Sequence, residues 1–338
     1  MEKARIPVGE ENFELLRKKK SYYVDKTRVI VELLEEDFKV NLITRPRRFG
    51  KTLNMSMLEA FFDIRKDSKA IFEGLEIMGH EELCAEWMNQ CPVLSISFKD
   101  VASDNFEDSY EQMALDLANM CVEHAYLLES VRTDGDDKDR FARLKAGKAT
   151  KVELQNSLFM ISRMMYAHYR KPVILLIDEY DVPLAKASEF GYYPKMLNMI
   201  RSMMSTSFKT NRFLQFAVVT GCLRIAKESI FTGTNNFKSN SIAGSRYLDS
   251  FGFTESEVLK MLEDMGLSSQ LSSVKRWYDG YHFGKHDIYC PWDVSNYVSD
   301  VLREPDTAPE NYWKDTSHNN IIRQFVGKDG MDVNDKFL

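Results

Sequence analysis

A chain of 338 residues fits about two domains, or one large α/β domain with an appendage. Apolar residues make up 44% and charged residues 28%, a mix that excludes a disordered, collagenous or membrane-spanning chain. The 45 basic and 51 acidic side chains leave a net charge of −6, which argues against a protein whose main work is gripping nucleic-acid phosphates.

The longest uninterrupted aliphatic run, 173–177, is far too short to span a bilayer. The charged start, Met1-Glu2-Lys3-Ala4-Arg5, leads into no apolar stretch and predicts no secretory signal. The cysteines, Cys84, Cys91, Cys121, Cys222 and Cys290, are odd in number and widely spaced, and none forms C-x-x-C. Reduced thiols and a cytoplasmic location are the expectation.

In chain order, a helix is predicted over 26–36, opened by Asp25, and a short apolar strand over 39–44. A basic loop, 45–51, follows, and then Leu53, Met57, Leu58, Phe61 and Phe62 fall at helical spacing. Next come a strand at 92–98, a helix at 106–129, a polar loop at 133–148 and a helix at 151–169. Strands are expected at 173–177 and 213–219. Near-continuous apolar strands alternating with helices predict a parallel sheet covered on both faces. The strand pattern stops after about Gly221, and the remainder reads as short helices at 255–264, 271–278 and 291–302. The expected organisation is a P-loop α/β domain over 1–250 and a small helical, lid-like subdomain over 251–338.

Three segments carry chemistry. The first is Thr44-Arg45-Pro46-Arg47-Arg48-Phe49-Gly50-Lys51-Thr52. Its end matches the P-loop pattern G-x-x-x-x-G-K-[ST], although Arg45 stands at the first glycine. Gly50 lets the backbone approach a phosphate, Lys51 reaches the β- and γ-phosphates, and Thr52 offers a hydroxyl to Mg²⁺. Helix-start amides favour an anion there, and Arg45, Arg47 and Arg48 add positive charge beside Phe49. G-K-T alone is a common tripeptide; its place between a predicted strand and a predicted helix gives it weight.

The second segment is the apolar strand ending in Asp178-Glu179-Tyr180-Asp181, the Walker B form. Asp178 is expected to hold the Mg²⁺ shell, and Glu179 to orient the attacking water. In the third, Thr220 closes a strand and Arg224 lies just beyond it. A hydroxyl at a strand's carboxyl end can read a γ-phosphate, and an arginine can stabilise charge developing on it.

The chain resembles the predicted AAA-ATPase-like family of bacteria and archaea, related to STAND-type and archaeal P-loop ATPases. The matching stretches are Arg5-Ile6-Pro7-Val8-Gly9, Tyr23-Val24-Asp25-Lys26-Thr27, residues 44–52, 177–181 and 220–224, Phe251-Gly252-Phe253-Thr254, Trp277-Tyr278-Asp279-Gly280-Tyr281 and Tyr289-Cys290-Pro291-Trp292. In that family R-P-R-R-F-G-K-[ST] is the normal P-loop form, while Cys290 replaces the family's usual asparagine. The resemblance implies ATP and Mg²⁺ as ligands, and an effector protein or a nuclease-like PD-(D/E)XK domain as the partner. No nuclease site is expected within this chain. No glutamate is followed two residues later by lysine, and Asp136-Asp137-Lys138 lies in the polar stretch.

Other readings carry less. His80-Glu81-Glu82-Leu83-Cys84 lacks the second histidine of a zinc-protease helix. The acidic stretch from Asp134 fails as a calcium loop, because Lys145 stands where the bidentate glutamate belongs. His282 and His286 flank Gly284 and fit a loop better than a metal pair. Arg17-Lys18-Lys19-Lys20 reads as a solvated helix end, and the aromatics of 277–283 as packing between lid and main domain. Three functions are weighed: an ATPase switch or motor, a nucleotide-binding regulatory module with little hydrolysis, and the ATPase part of a nucleic-acid-processing protein.

Overall fold

The computed structural model describes residues 5–35, 38–209, 211–222, 230 and 237–312. Its elements begin with α1 (Phe13–Lys18), α2 (Arg28–Leu34), β1 (Val40–Thr44), α3 (Lys51–Phe62), α4 (Lys69–Phe72), α5 (Glu81–Trp87) and β2 (Val93–Ser97). They continue with α6 (Phe106–Glu123), α7 (Tyr126–Glu129), α8 (Gly135–Lys145), α9 (Lys151–Gln155), α10 (Ser157–Tyr169) and β3 (Val173–Asp178). Next are α11 (Val182–Glu189), α12 (Tyr193–Phe208), β4 (Leu214–Gly221) and β5 (Phe237–Asn240). The last are β6 (Phe253–Thr254), α13 (Glu255–Asp264), α14 (Leu271–Tyr278), β7 (Asp279–Phe283), β8 (His286–Tyr289) and α15 (Pro291–Arg303).

Strands β1 to β5 form one parallel sheet in the order β2-β3-β4-β1-β5. Successive side chains of a strand point to opposite faces, and the cores follow that period. Val173, Leu175 and Ile177 of β3 join a core with α6, α8, α10 and α12. Ile174 and Leu176 join the opposite core, with Phe13, Val29, Leu58 and Phe62 from α1, α2 and α3. Every residue of β1 and β3 is buried, as a sheet covered on both faces requires. No helix among the described residues is long and apolar enough to cross a membrane.

Four expectations are corrected. The stretch 133–148 is mostly helix, not loop. Asp134 caps α8 by accepting from the amide of Asp136, Phe141 and Leu144 are buried, and Asp137 pairs with Arg163 of α10. That helix carries the Asp136-Asp137-Lys138 triplet. The long helices also end sooner than expected: α6 stops at Glu123, and Asn156 separates α9 from α10. Between β3 and β4 lie α11 and α12, each with proline in its first turn. Strands also continue past Gly221. β5 pairs with β1, and β6, β8 and β7 make a three-stranded antiparallel sheet inside the stretch expected to be helical throughout.

That C-terminal stretch has its own core, built from Val258, Met261, Leu262, Val274, Tyr289 and Val294 with Ile6 from the N-terminal side. Its aromatics split in role. Tyr281 and Phe283 pack on Phe49, whereas Trp277 is half exposed. His282 pairs with Asp287 across the β7–β8 hairpin.

Candidate functional site

The sheet order brings the chemistry together. β4 lies between β1 and β3, with Ile43 opposite Thr220, Thr44 opposite Gly221, and Val219 opposite Ile177. The 45–50 loop, the acidic turn and Thr220 therefore leave the sheet side by side at its carboxyl edge, where parallel sheets bind ligands.

Beyond Thr44 the chain passes through a tight loop into α3. The amide of Arg45 donates to the carbonyl of Gly221, which fixes the loop's first residue to β4. Arg48 and Gly50 are both left-handed, with φ of 68° and 77°. Gly50 suits this conformation, having no Cβ to clash; for Arg48 the conformation carries strain. α3 starts at Lys51 with no side-chain cap, so its first amides are left for another acceptor.

Lys51 is almost wholly buried, its side chain 3% exposed. Its Nζ donates to the carbonyls of Pro46 at 3.0 Å and Arg45 at 3.3 Å, and to Cys222 Sγ at 3.3 Å. Glu179 Oε1 stands 3.8 Å away. Burial works to lower the Lys51 pKa, but Cys222, Glu179, Asp181 and Asp178 outweigh it and hold the pKa above its ordinary value. Lys51 therefore stays an ammonium.

Asp178 is the hub. One carboxylate oxygen accepts from Thr52 Oγ1 at 2.7 Å; the other accepts from Thr220 Oγ1 and from the amide of Glu179. Its carbonyl accepts from the amide of Phe98. A carboxylate and a hydroxyl held this close are hard oxygen donors of the kind Mg²⁺ takes, together with waters and phosphate oxygens. Among the described residues no group of three or more His, Cys, Asp or Glu is placed to hold a metal alone.

Glu179 follows in a left-handed conformation, φ 54°, which a non-glycine residue keeps only where its surroundings impose it. Burial raises its carboxyl pKa, with Lys51 opposing and Asp178 and Asp181 adding to the rise. Asp181 accepts from the amide of Cys222, tying the acidic turn to the end of β4. Burial pushes the Cys222 thiol up to about 11, so its charge bears on Lys51 only in alkali, and at neutral pH the carboxylates carry that support.

Gly221 sits in the closest packing of the site. A Cβ there would lie 2.5 Å from Asp181 Oδ1 and 2.7 Å from the Tyr180 ring. Gly221→Ala is expected to push the acidic turn out of place and to destabilise the fold by about 1–3 kcal/mol. Urea denaturation of the variant measures it.

The three loop arginines point three ways. Arg45 turns inward and is fully buried. Its guanidinium donates to the carbonyls of Thr44, Asn240, Tyr247 and Arg246 and lies near the rings of Phe251 and Phe283. Burial pushes its pKa down to about 10, still charged at neutral pH. The expectation that Arg45 faces a phosphate is therefore revised: it anchors the base of the loop. Arg45→Ala leaves several buried carbonyls without a donor, and an expected loss of about 3 kcal/mol or more is readable by denaturation. Arg47 lies close enough for its charge to act on Glu179 and Cys222. Arg48 and the Phe49 side chain turn toward the C-terminal stretch. Arg224 lies outside the described residues.

The family model for predicted AAA-ATPases matches residues 7–231, from before α1 to beyond β4, and takes in Lys51, Thr52, Asp178, Glu179 and Thr220. The chain belongs to the predicted AAA-ATPase family. It is also similar to an uncharacterised protein from the vnfD 5′ region of Azotobacter chroococcum mcd 1, 26% identical over 296 residues. That match takes in 87% of this chain and 52% of the relative, so the chain spans about half the relative's length. The predicted AAA-ATPase family match ends before the C-terminal stretch that receives Arg48 and Phe49.

Two contributors escaped the sequence reading. Asp181 carried a signal, as the third acid of Asp-Glu-Tyr-Asp, but its role of holding Cys222 follows only from the pairing of β3 with β4. The contact of Cys222 with Lys51 joins positions 171 residues apart and has no local signature.

Proposed function

We propose that the chain binds Mg-ATP at the carboxyl edge of the sheet and hydrolyses it, as a switch or motor for an effector domain or partner. The observation that carries this reading is the hydrogen bond from Thr52 to Asp178, which joins the P-loop and the acidic turn across 126 residues. Lys51 now donates to two loop carbonyls, and β- and γ-phosphate oxygens are stronger, charged acceptors for the same Nζ. The open amides at the start of α3 add to the anion site.

Thr52 and Asp178 are the residues that would hold Mg²⁺, whose chemistry there is to neutralise charge on the phosphoryl oxygens. Glu179, the next residue of the acidic turn and 3.8 Å from Lys51 Nζ, orients the attacking water and takes its proton. Thr220, fixed on Asp178, is the candidate γ-phosphate reader. The charge of Arg47 acts on Glu179, and Arg224 follows β4 in sequence; both are candidates for stabilising the charge that develops on the transferred group. Catalysis of this kind rests on positioning and electrostatics, which a preformed network supplies.

The test is phosphate release from ATP by the purified chain with and without Mg²⁺. Metal-dependent release that saturates with ATP supports the ATPase reading. Tight ATP binding without release would instead favour a regulatory nucleotide-binding module.

A further inference from the structure

The tip of the phosphate loop is held by residues far from it in sequence. The Arg48 guanidinium lies over the Trp292 ring at 3.9 Å from its centroid, closer than most cation–π pairs. The Trp292 indole N–H donates to the carbonyl of Tyr312, which also accepts from Arg48. Gly9 abuts the same ring, since a Cβ there would lie 3.4 Å from it. Next door, Phe49 is buried against Tyr281 and Phe283, and its carbonyl accepts from the amide of Gly252. Gly252 has no room for a side chain, because a Cβ would meet Ile288 at 2.3 Å and Phe49 at 2.9 Å.

These contacts sit at the strained part of the loop. Arg48 is a non-glycine residue at φ 68°, and Gly50 is left-handed two residues later. Alternating backbone of this kind aims successive amides to one side, as anion-binding nests do. A left-handed arginine persists only where its surroundings over-determine it. Here the ring stack and the seat of Phe49 supply that constraint, both from 251–303, beyond the family match.

We propose that Trp292 is a positioning residue for the phosphate loop: its ring holds Arg48, and through it the left-handed turn that presents the loop amides to a phosphate. This rests on the nucleotide reading above. It makes the C-terminal stretch a working part of the site. Phosphate binding and the seating of α15 are then coupled, each strengthening the other.

The test is a double-mutant cycle on Mg-ATP affinity by calorimetry, with Trp292→Leu, Arg48→Ala and the pair. Each single change is expected to weaken binding about tenfold and the pair no further, because both remove one contact. Trp292→Phe keeps a ring face and is expected to recover most of the affinity, which a requirement for bulk alone would not distinguish from leucine. Where Trp292→Leu does not fold, Trp292→Met, which keeps bulk without a ring face, takes its place in the cycle with Arg48→Ala. Parent binding with unchanged affinity in Trp292→Leu overturns the proposal, as does a fully additive pair, which would put Arg48 on the phosphate itself.

Failure of the nucleotide reading is separable. If the parent binds no Mg-ATP, that reading falls, and amide exchange over 47–50 in the nucleotide-free protein judges the tether. Exchange about threefold or more faster in Trp292→Leu supports it, and equal rates overturn it.

Discussion

Glu179→Gln is expected to lower ATP turnover by about 10²–10⁴-fold while leaving Mg-ATP affinity within a few-fold of the parent. The amide keeps the shape of the side chain and its place near Lys51, but it cannot take a proton from water. Removing the carboxylate also removes a negative charge 3.8 Å from the Lys51 ammonium, so binding of the anionic nucleotide should not weaken. Single-turnover phosphate release and equilibrium binding on the same preparation separate the two effects. Unchanged turnover would remove Glu179 from its role.

The same group sets a pH dependence. Burial raises the Glu179 pKa above the ordinary value of 4.5. With the carboxylate as the proposed working form, turnover is expected to rise with pH through that raised pKa and to be lost on acidification earlier than with an ordinary glutamate. Lys51 is shifted upward as well, so its charge is kept through neutral pH and is lost only in strong alkali. The acid limb of kcat should be absent from the residual activity of Glu179→Gln.

Asp178→Asn is expected to remove the metal's contribution. In the parent, Mg²⁺ should tighten ATP binding; in the variant, affinity should be nearly the same with and without it, and turnover should fall by at least about 100-fold. The asparagine preserves volume but carries no charge, and its amide nitrogen cannot accept a bond from the Thr52 or Thr220 hydroxyl. Because Asp178 is buried, the change also disturbs the network, and a modest fall in melting temperature should accompany it. Retained metal dependence would place the cation elsewhere.

The sheet and the chemistry-bearing turns were legible because each carried a long, strong signal. Residues 173–177 form an unbroken aliphatic run and end in two acids, and Gly50-Lys51-Thr52 falls between an apolar strand and a helix with large apolar residues. α8 was hidden because its sequence, Gly135–Lys145, is mostly charged and shows only Phe141 and Leu144 to a core. β5 was hidden because an edge strand of four residues with one aromatic has no periodicity to read. The strands β6 to β8 are two to five residues long and depend on one another for partners.

The orientations of the arginines were the least legible part. Arg45, Arg47 and Arg48 are chemically identical and nearly consecutive, yet each meets a different environment. Arg45 is claimed by carbonyls of 240, 246 and 247, and Arg48 by a ring at 292. A local reading treats all three as charge for a phosphate. Only the return of the chain past the loop, about 200 residues later, assigns them.

The central claim is that Lys51 and the loop around it hold the phosphates of ATP. Calorimetric titration of ATP with Mg²⁺ into the parent chain and into Lys51→Ala tests it most directly. One nucleotide per chain is the expected stoichiometry in the parent, with affinity lowered at least about 30-fold in the variant, as loss of a charge-assisted contact implies. No saturable binding in the parent, or equal affinity in the two proteins, would contradict it.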